Sequence, residues 1–210
     1  MSELINRHHQ EQKMVAANVI AQLHPLWGLL DFHDLEGTTA DWLRAVRPVV
    51  ERGILTSQYV AAEFVKSYRG TVIPHSEPLE VDIPNPLGAF SPNSIPDRNT
   101  QLAIMVSMKV TGPVSVARMM PMDEQTAMAK GFSKSCGAAT RLVLNGGRGM
   151  VRLLADHDQF ARGVVGVVDE NACNLCQEKA IPVMKTEGAK RMDTIAVGHD
   201  FCKCSAALVY

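Results

Sequence analysis

The residues best suited to chemistry lie late in the chain. Cys173-Asn-Leu-Cys176 is followed, after 22 residues, by His199-Asp-Phe-Cys202-Lys-Cys204. A two-residue gap between cysteines lets both thiolates face one tetrahedral ion while nearby N–H groups support the sulfurs. The first pair supplies two ligands. His199, Cys202 and Cys204 are three candidates for the other two positions, and spacing alone does not choose among them. Soft sulfur and imidazole donors suit Zn²⁺. A disulfide, an unliganded pair and a redox-active dithiol compete with this reading. A redox CxxC belongs in a βαβ setting, and the surrounding pattern has none. Four protein ligands leave no open position for water, so the expected role is structural. Such a small segment holds too little apolar material to close without a staple.

The remaining candidates are weaker. Cys136 stands apart from the other four cysteines and reads as a small buried residue. His8 and His9 read as solvated. His24, His33, His75 and His157 read as surface or packing residues. His33 beside Asp34, and His157 between Asp156 and Asp158, resemble fragments of an acid–base site, but such neighbours arise readily by chance. The sequence holds no GxSxG, Walker A or HExxH motif. Gly146-Gly-Arg-Gly149 could cradle an anion; a bend between helices is the simpler expectation.

The elements that must position these residues read as mostly helical. Glu11 to Leu23 has helical periodicity through Val15, Val19 and Leu23, and Pro25 interrupts it. Thr38-Thr39-Ala40-Asp41 reads as a capping box opening a second helix, with Trp42, Leu43, Val46, Val49 and Val50 as its buried stripe. Pro48 should kink that helix and Gly53 should stop it. A third helix is predicted over Ser57 to Tyr68. Six of the eleven prolines fall between Pro74 and Pro96, which predicts an extended connector. Helix resumes near Asn99, with Leu102, Met105, Val106 and Lys109 on one side. Thr111 is the predicted cap of a helix opening at Pro113, and Asp123 of the next. Asn145-Gly146-Gly147 predicts a break before another helical piece from Met150 to Phe160. The β-branched run Gly163 to Val168 predicts a strand, which Asp169-Glu170-Asn171 turns into the cysteine pair.

The expected fold is therefore mainly α, with a small C-terminal α+β subdomain like a zinc knuckle. Its parts are an N-terminal helical region (1–73), a Pro-rich connector (74–98), a helical body (99–162) and a Cys/His knuckle (163–210).

Composition narrows the function. The chain has 210 residues, 46% hydrophobic and 20% charged, which supports a sizeable core and excludes disorder throughout. With 21 Lys plus Arg against 22 Asp plus Glu, the net charge of −1 is not that of a protein coating nucleic acid by charge alone. No apolar run approaches a membrane span, and the polar residues Met1 to Gln12 show no secretion-type stretch. A cytosolic product, with no membrane partner and no small-molecule substrate, is expected. The Met count of 11 reads as ordinary core filling.

The segment from Val165 through Asp169 to Cys173-Asn-Leu-Cys176, with the distant His199-Asp-Phe-Cys-Lys-Cys204, resembles the Mu F-like head morphogenesis family of tailed phages. That family ends its domain with a strand, an Asp-led turn, CxxC and a terminal HxxCRC; here Lys203 stands in place of the usual Arg. Val110-Thr-Gly-Pro-Val, Ala138 to Arg148, Leu30-Asp31 with Asp34 to Gly37, and Trp42 are similar to versions from phages of actinobacteria. Only the Cys/His motif is specific.

The resemblance implies a minor capsid protein inside the virion head. Its partners would be the portal and/or the major capsid protein, with packaged DNA as a further contact. It would act in procapsid assembly and in DNA packaging or ejection, and reside in the host cytoplasm during assembly. Family members are often labelled capsid maturation proteases or carry fused domains. Tyr210 follows Cys204 by six residues, so no fused enzyme is expected after the knuckle. The alternative is a maturation protease with one of the four late cysteines as nucleophile and His199 as base. In that reading metal binding would consume the same side chains. A DNA-contacting role would draw on Lys179, Lys185, Lys190, Arg191 and Lys203, but Glu178, Glu187, Asp193 and Asp200 nearly balance them.

Overall fold

The computed structural model describes residues 3–77, 79, 97–170, 172–187 and 198–210. Within these the chain is mainly helical, with a small antiparallel sheet near its C-terminus. Three long helices form the body: α1 (Glu3–Leu26), α2 (Leu35–Val72) and α5 (Glu124–His157). Two shorter ones, α3 (Arg98–Thr111) and α4 (Pro113–Ala117), pack beside them. Strands β1 (Gly163–Val167), β2 (Val183–Met184) and β3 (Ser205–Val209) pair in the order β2-β1-β3, with α6 (Asn174–Lys179) between β1 and β2. The register sets Gly163 opposite both Met184 and Val209, and Val167 opposite Ser205.

The long helices run through positions that the sequence reads as stops. α2 starts earlier than the threonine pair, because the Asp34 carboxylate accepts from Gly37 N at 3.0 Å and serves as the cap. The Thr38 and Thr39 hydroxyls instead donate back to the carbonyls of Asp34 and Leu35. The helix then continues past Pro48 and Gly53 to Val72, so the segment from Ser57 to Tyr68 is its second half rather than a separate helix. Gly53 is a contact point: a Cβ there would run into Val19 of α1 and Val143 of α5. Likewise α5 does not break at Asn145-Gly146-Gly147. A Cβ at Gly147 would strike Ser57 and Gln12, whose side chains form a buried polar pair. Packing at these crossings outweighs the modest propensity cost of glycine in a helix, about 1 kcal/mol each. Pro25 also stays helical, in the last turn of α1.

One core cluster joins α1, α2, α3 and α5 around Trp42, Val46, Val50, Ile104, Met108 and Val143. A second lies between the long helices and the sheet, built on Ala61, Val65, Val151, Leu154, Val164 and Leu208. The stripe predicted for α2 is largely buried as expected. On α3 the polarity is reversed: Ile104 and Met108 face inward, while Leu102 and Val106 are exposed. Thr111 closes α3, and Gly112 is the residue before Pro113. Asp123 caps α5 by accepting from Thr126 N at 2.8 Å. The Pro-rich stretch lies almost wholly outside the described residues.

His8 and His9 are buried, not solvated. The His8 ring stacks on Phe64 at 4.2 Å, and its Nδ1 has no hydrogen-bond partner. Burial, reinforced by His9, pushes its pKa from 6.5 down to about 3. The unfolded chain therefore binds a proton here that the folded chain refuses. His8 leaves stability undiminished above the unfolded pKa of 6.5 and withdraws it progressively as the pH falls toward 3. The loss should reach roughly 2–3 kcal/mol by about pH 4.5. Urea titrations at several pH values should give a shallower acid slope for His8→Phe than for the parent; equal slopes would exclude His8 as the source.

Candidate metal centre

β1 delivers the chain to the site. After Val167 the Asp169 carbonyl accepts from Ala172 N at 3.0 Å, and the turn leads into α6. Cys173 occupies the cap position of α6, and Cys176 sits one turn on, as the two-residue spacing requires. Cys173 is exposed and Cys176 is buried.

The second half of the motif is held against one stripe of α5. Gly137, Arg141, Asn145 and Arg148 are spaced for a single helix face. Each binds the segment running from Gly198 to Cys204. The Gly137 carbonyl accepts from Phe201 N at 3.4 Å, and the missing side chain leaves room for the Phe201 ring. Arg141 pairs with Asp200 at 2.7 Å. Asn145 accepts from Gly198 N at 2.8 Å. Arg148 donates to the Cys204 carbonyl at 2.6 Å. Phe201 takes a left-handed backbone (φ 61°), which turns Cys202 inward.

These supports bring all five predicted ligands together. His199 Nε2 lies 3.1 Å from Cys173 Sγ and 3.3 Å from Cys176 Sγ. Cys176 Sγ is 3.4 Å from Cys202 Sγ, which is 2.8 Å from Cys204 Sγ. The donors form two overlapping triads, Cys173–Cys176–His199 and Cys176–Cys202–Cys204, that share Cys176. The donor set thus fits a thiophilic cation such as Zn²⁺, with one triad offering a mixed N/S face and the other only sulfur. The His199 Nδ1 lies 2.8 Å from the Asp200 carbonyl, an orientation that leaves Nε2 free to coordinate.

No protein-family model, curated protein or solved structure matches the chain.

Protonation preferences within the cluster differ. The Cys176 backbone N–H, helped by the Cys176 thiol and the His199 ring, holds the Cys173 thiol below its ordinary value. A hydrogen bond from the Cys204 thiol, with the charge of Arg148, holds Cys202 down to about 4, and Cys204 is raised in return. Burial and the neighbouring Cys202 push Cys176 up to about 12. The Asp200 carbonyl, then Cys173, raise His199. A cation bound here would displace the protons that the raised thiols carry.

A cleft of about 780 Å³ opens over the cluster, lined by His9, Asp169, Cys173, His199, Phe201 and Lys203 among others. On its rim α1 is tied to the site: His9 Nε2 lies 2.9 Å from Asp169 and its Nδ1 3.1 Å from Ser205 Oγ, and Lys13 donates to Asp169 at 3.0 Å. Partial burial raises the Asp169 carboxyl, but the bonds from His9 and Lys13 outweigh it and hold the group below its ordinary value.

The structure does not draw the other histidines into the site. His33 faces Glu124 at 3.5 Å, and His157 Nδ1 lies 2.9 Å from the Leu153 carbonyl of its own helix. Cys136 is buried, and burial raises its thiol to about 11. Lys185, one of the five basic residues considered for DNA, donates to the Asp158 carbonyl at 2.7 Å. Lys190, Arg191 and Asp193 lie outside the described residues. Sequence reasoning misses His9 and the α5 stripe. The available signal is the spacing of Arg141, Asn145 and Arg148, which the adjacent glycines mask by suggesting a turn. Among the described residues no helix is long and apolar enough to cross a membrane.

Proposed function

We propose that the chain is a minor capsid protein of the Mu F-like kind, located inside the virion head beside the portal, with its late Cys/His segment acting as a structural zinc knuckle. The observation that carries the reading is the meeting of the CxxC and HxxCxC donors in two triads that share Cys176, since these residues also carry the resemblance. In this reading Cys173, Cys176 and His199, with a fourth donor from Cys202 or Cys204, would hold the ion. Zn²⁺ would supply cross-linking there, not a reactive water, because protein donors fill its positions. The helical body then offers the surface for portal or capsid-shell contacts. Co-sedimentation with portal rings and procapsids under native salt tests the assembly role: the expected result is stoichiometric association, and a chain that never associates defeats it. Elemental analysis of the same preparation should find one zinc per chain; a metal-free folded protein defeats the knuckle.

One observation favours a second reading. Cys173 is exposed at the cleft, and His199 lies 3.1 Å away, a thiol–imidazole pair of the sort a maturation protease would use. Cleavage of head proteins that persists with metal bound and stops on Cys173→Ala would favour that enzyme over the structural knuckle.

A further inference from the structure

We propose that Arg148 is the counter-charge of the metal centre and thereby fixes its ligand set: three thiolates and one imidazole, from Cys173, Cys176, Cys202 and His199, with Cys204 held outside. The inference rests on the metal reading above and deepens it.

Arg148 lies in the middle of α5 and is 1% exposed. Its Nη1 donates to the Cys204 carbonyl at 2.6 Å, and faces Cys204 Sγ at 3.2 Å and Cys202 Sγ at 3.5 Å. Its Nη2 donates to Asn145 Oδ1, and its buried Nε has no partner. Among the described residues no carboxylate pairs with it, unlike Arg69, Arg141 and Arg152. A guanidinium cannot shed its proton to relieve burial, so a buried one needs a negative neighbour. Among the described residues the candidates in contact are the sulfurs of Cys202 and Cys204.

Charge counting then selects the ligands. A divalent cation with three thiolates and a neutral imidazole carries −1, and Arg148 brings the buried assembly to zero. Four thiolates would leave a net −1 underneath the helix. Sulfur spacing separates Cys202 from Cys204 as the fourth donor, with Cys202 reaching the Cys173–Cys176–His199 triad through Cys176. Cys202 Sγ lies 3.4 Å from Cys176 Sγ, near the sulfur–sulfur edge of about 3.7 Å that follows from Zn–S bonds of about 2.3 Å. Cys202 and Cys204 are 2.8 Å apart, too close to be two ligands of one tetrahedral ion. Arg148 grips Cys204 by both carbonyl and sulfur, which anchors that residue on the protein side of the centre. It is a positioning residue, acting through the ligands. Gly198 completes the arrangement, because a Cβ there would fall on the guanidinium.

Cobalt(II) titration of the full chain tests this, with thiolate-to-cobalt charge-transfer intensity counting sulfurs and a competing chelator reporting affinity. Arg148→Met should bind the ion 10–100-fold more weakly, the usual range for a residue behind the ligands. Arg148→Lys, which restores the charge, should recover most of that loss. Cys204→Ala should keep the full charge-transfer intensity, whereas Cys202→Ala should lose the share of one thiolate. Equal affinity for Arg148→Met and the parent, or intensity lost on Cys204→Ala and kept on Cys202→Ala, would overturn the proposal. If Arg148→Met fails to fold, the two cysteine variants, with Arg148 in place, decide it. A parent protein that binds no cobalt or zinc overturns the metal reading itself, a result distinct from a parent that binds while Arg148→Met binds equally well.

Discussion

Replacing Cys176 by serine is expected to abolish ion binding and to loosen α6 and residues 198–204, while the helical body stays folded. Cys176 is the one donor common to both triads, so its loss leaves neither complete. Locally the segment has little else. Cys176, Cys202 and Cys204 form their own small buried cluster, and among the described residues Val168 and Ala172 are the partly buried apolar side chains packed against it. A structural zinc ion contributes about 10–16 kcal/mol in small zinc-dependent folds, and five small side chains cannot replace that. The two larger clusters contain none of these cysteines, so α1, α2 and α5 should keep their packing. Hydrogen exchange by mass spectrometry should show protection lost over residues 172–180 and 198–204 and retained in α2 and α5. A strong chelator should reproduce the pattern in the parent. Undiminished protection in a demonstrably metal-free variant would mean that the segment is held by contacts to α5 alone.

The second large effect is expected at the far side of the sheet. Arg69→Met should destabilise the chain by about 3–5 kcal/mol, because it strips a buried carboxylate of its cation. Arg69 Nε donates to Asp158 Oδ2 at 3.0 Å, with side chains 8% and 0% exposed. Asp158 also accepts from Phe160 N at 3.0 Å and from Tyr210 Oη at 3.1 Å. Arg69 further reaches Ser76 Oγ at 2.6 Å and the Glu77 carbonyl. The guanidinium therefore joins α2, the α5–β1 turn and the residue after β3. Removing it leaves the anion facing a phenol that burial and that same anion already hold in its protonated form. Thermal unfolding should drop by roughly 6–20 °C, at 2–4 °C per kcal/mol for a chain of this size. The paired change Arg69→Met with Asp158→Leu should recover much of the loss, since no charge is then stranded. A single variant within about 0.5 kcal/mol of the parent, the range of ordinary surface changes, would contradict this.

Local chemistry was legible in the sequence and long-range packing was not. Ligand spacing is a local property, so Cys173, Cys176, His199, Cys202 and Cys204 could be grouped without knowing the fold. The β-branched run of β1 and the Asp123 cap are local too. The errors fall where a distant partner decides. Gly53 and Gly147 look like breakers until α1 crosses beside them. His8 and His9 sit in a polar stretch, yet Phe64 covers one, and Asp169 and Ser205 engage the other. Leu102 and Val106 obey helical periodicity, but Ile104 and Met108 obey it equally, and tertiary packing chose the latter pair. Arg148 is hidden for the same reason, since nothing adjacent to it in sequence announces a sulfur cluster.

The His9 contact to Ser205 spans 196 positions. Together with Arg148 and the loop from Gly198, it means that the Cys/His cluster and its rim draw on the first helix, the fifth helix and the last strand at once. Such long loops close slowly. The cluster and its rim are complete only when residue 205 is in place beside both α1 and α5. If the cluster holds an ion as proposed, full affinity would therefore report correct folding, because half-made or misassembled chains would lack the assembled donor set.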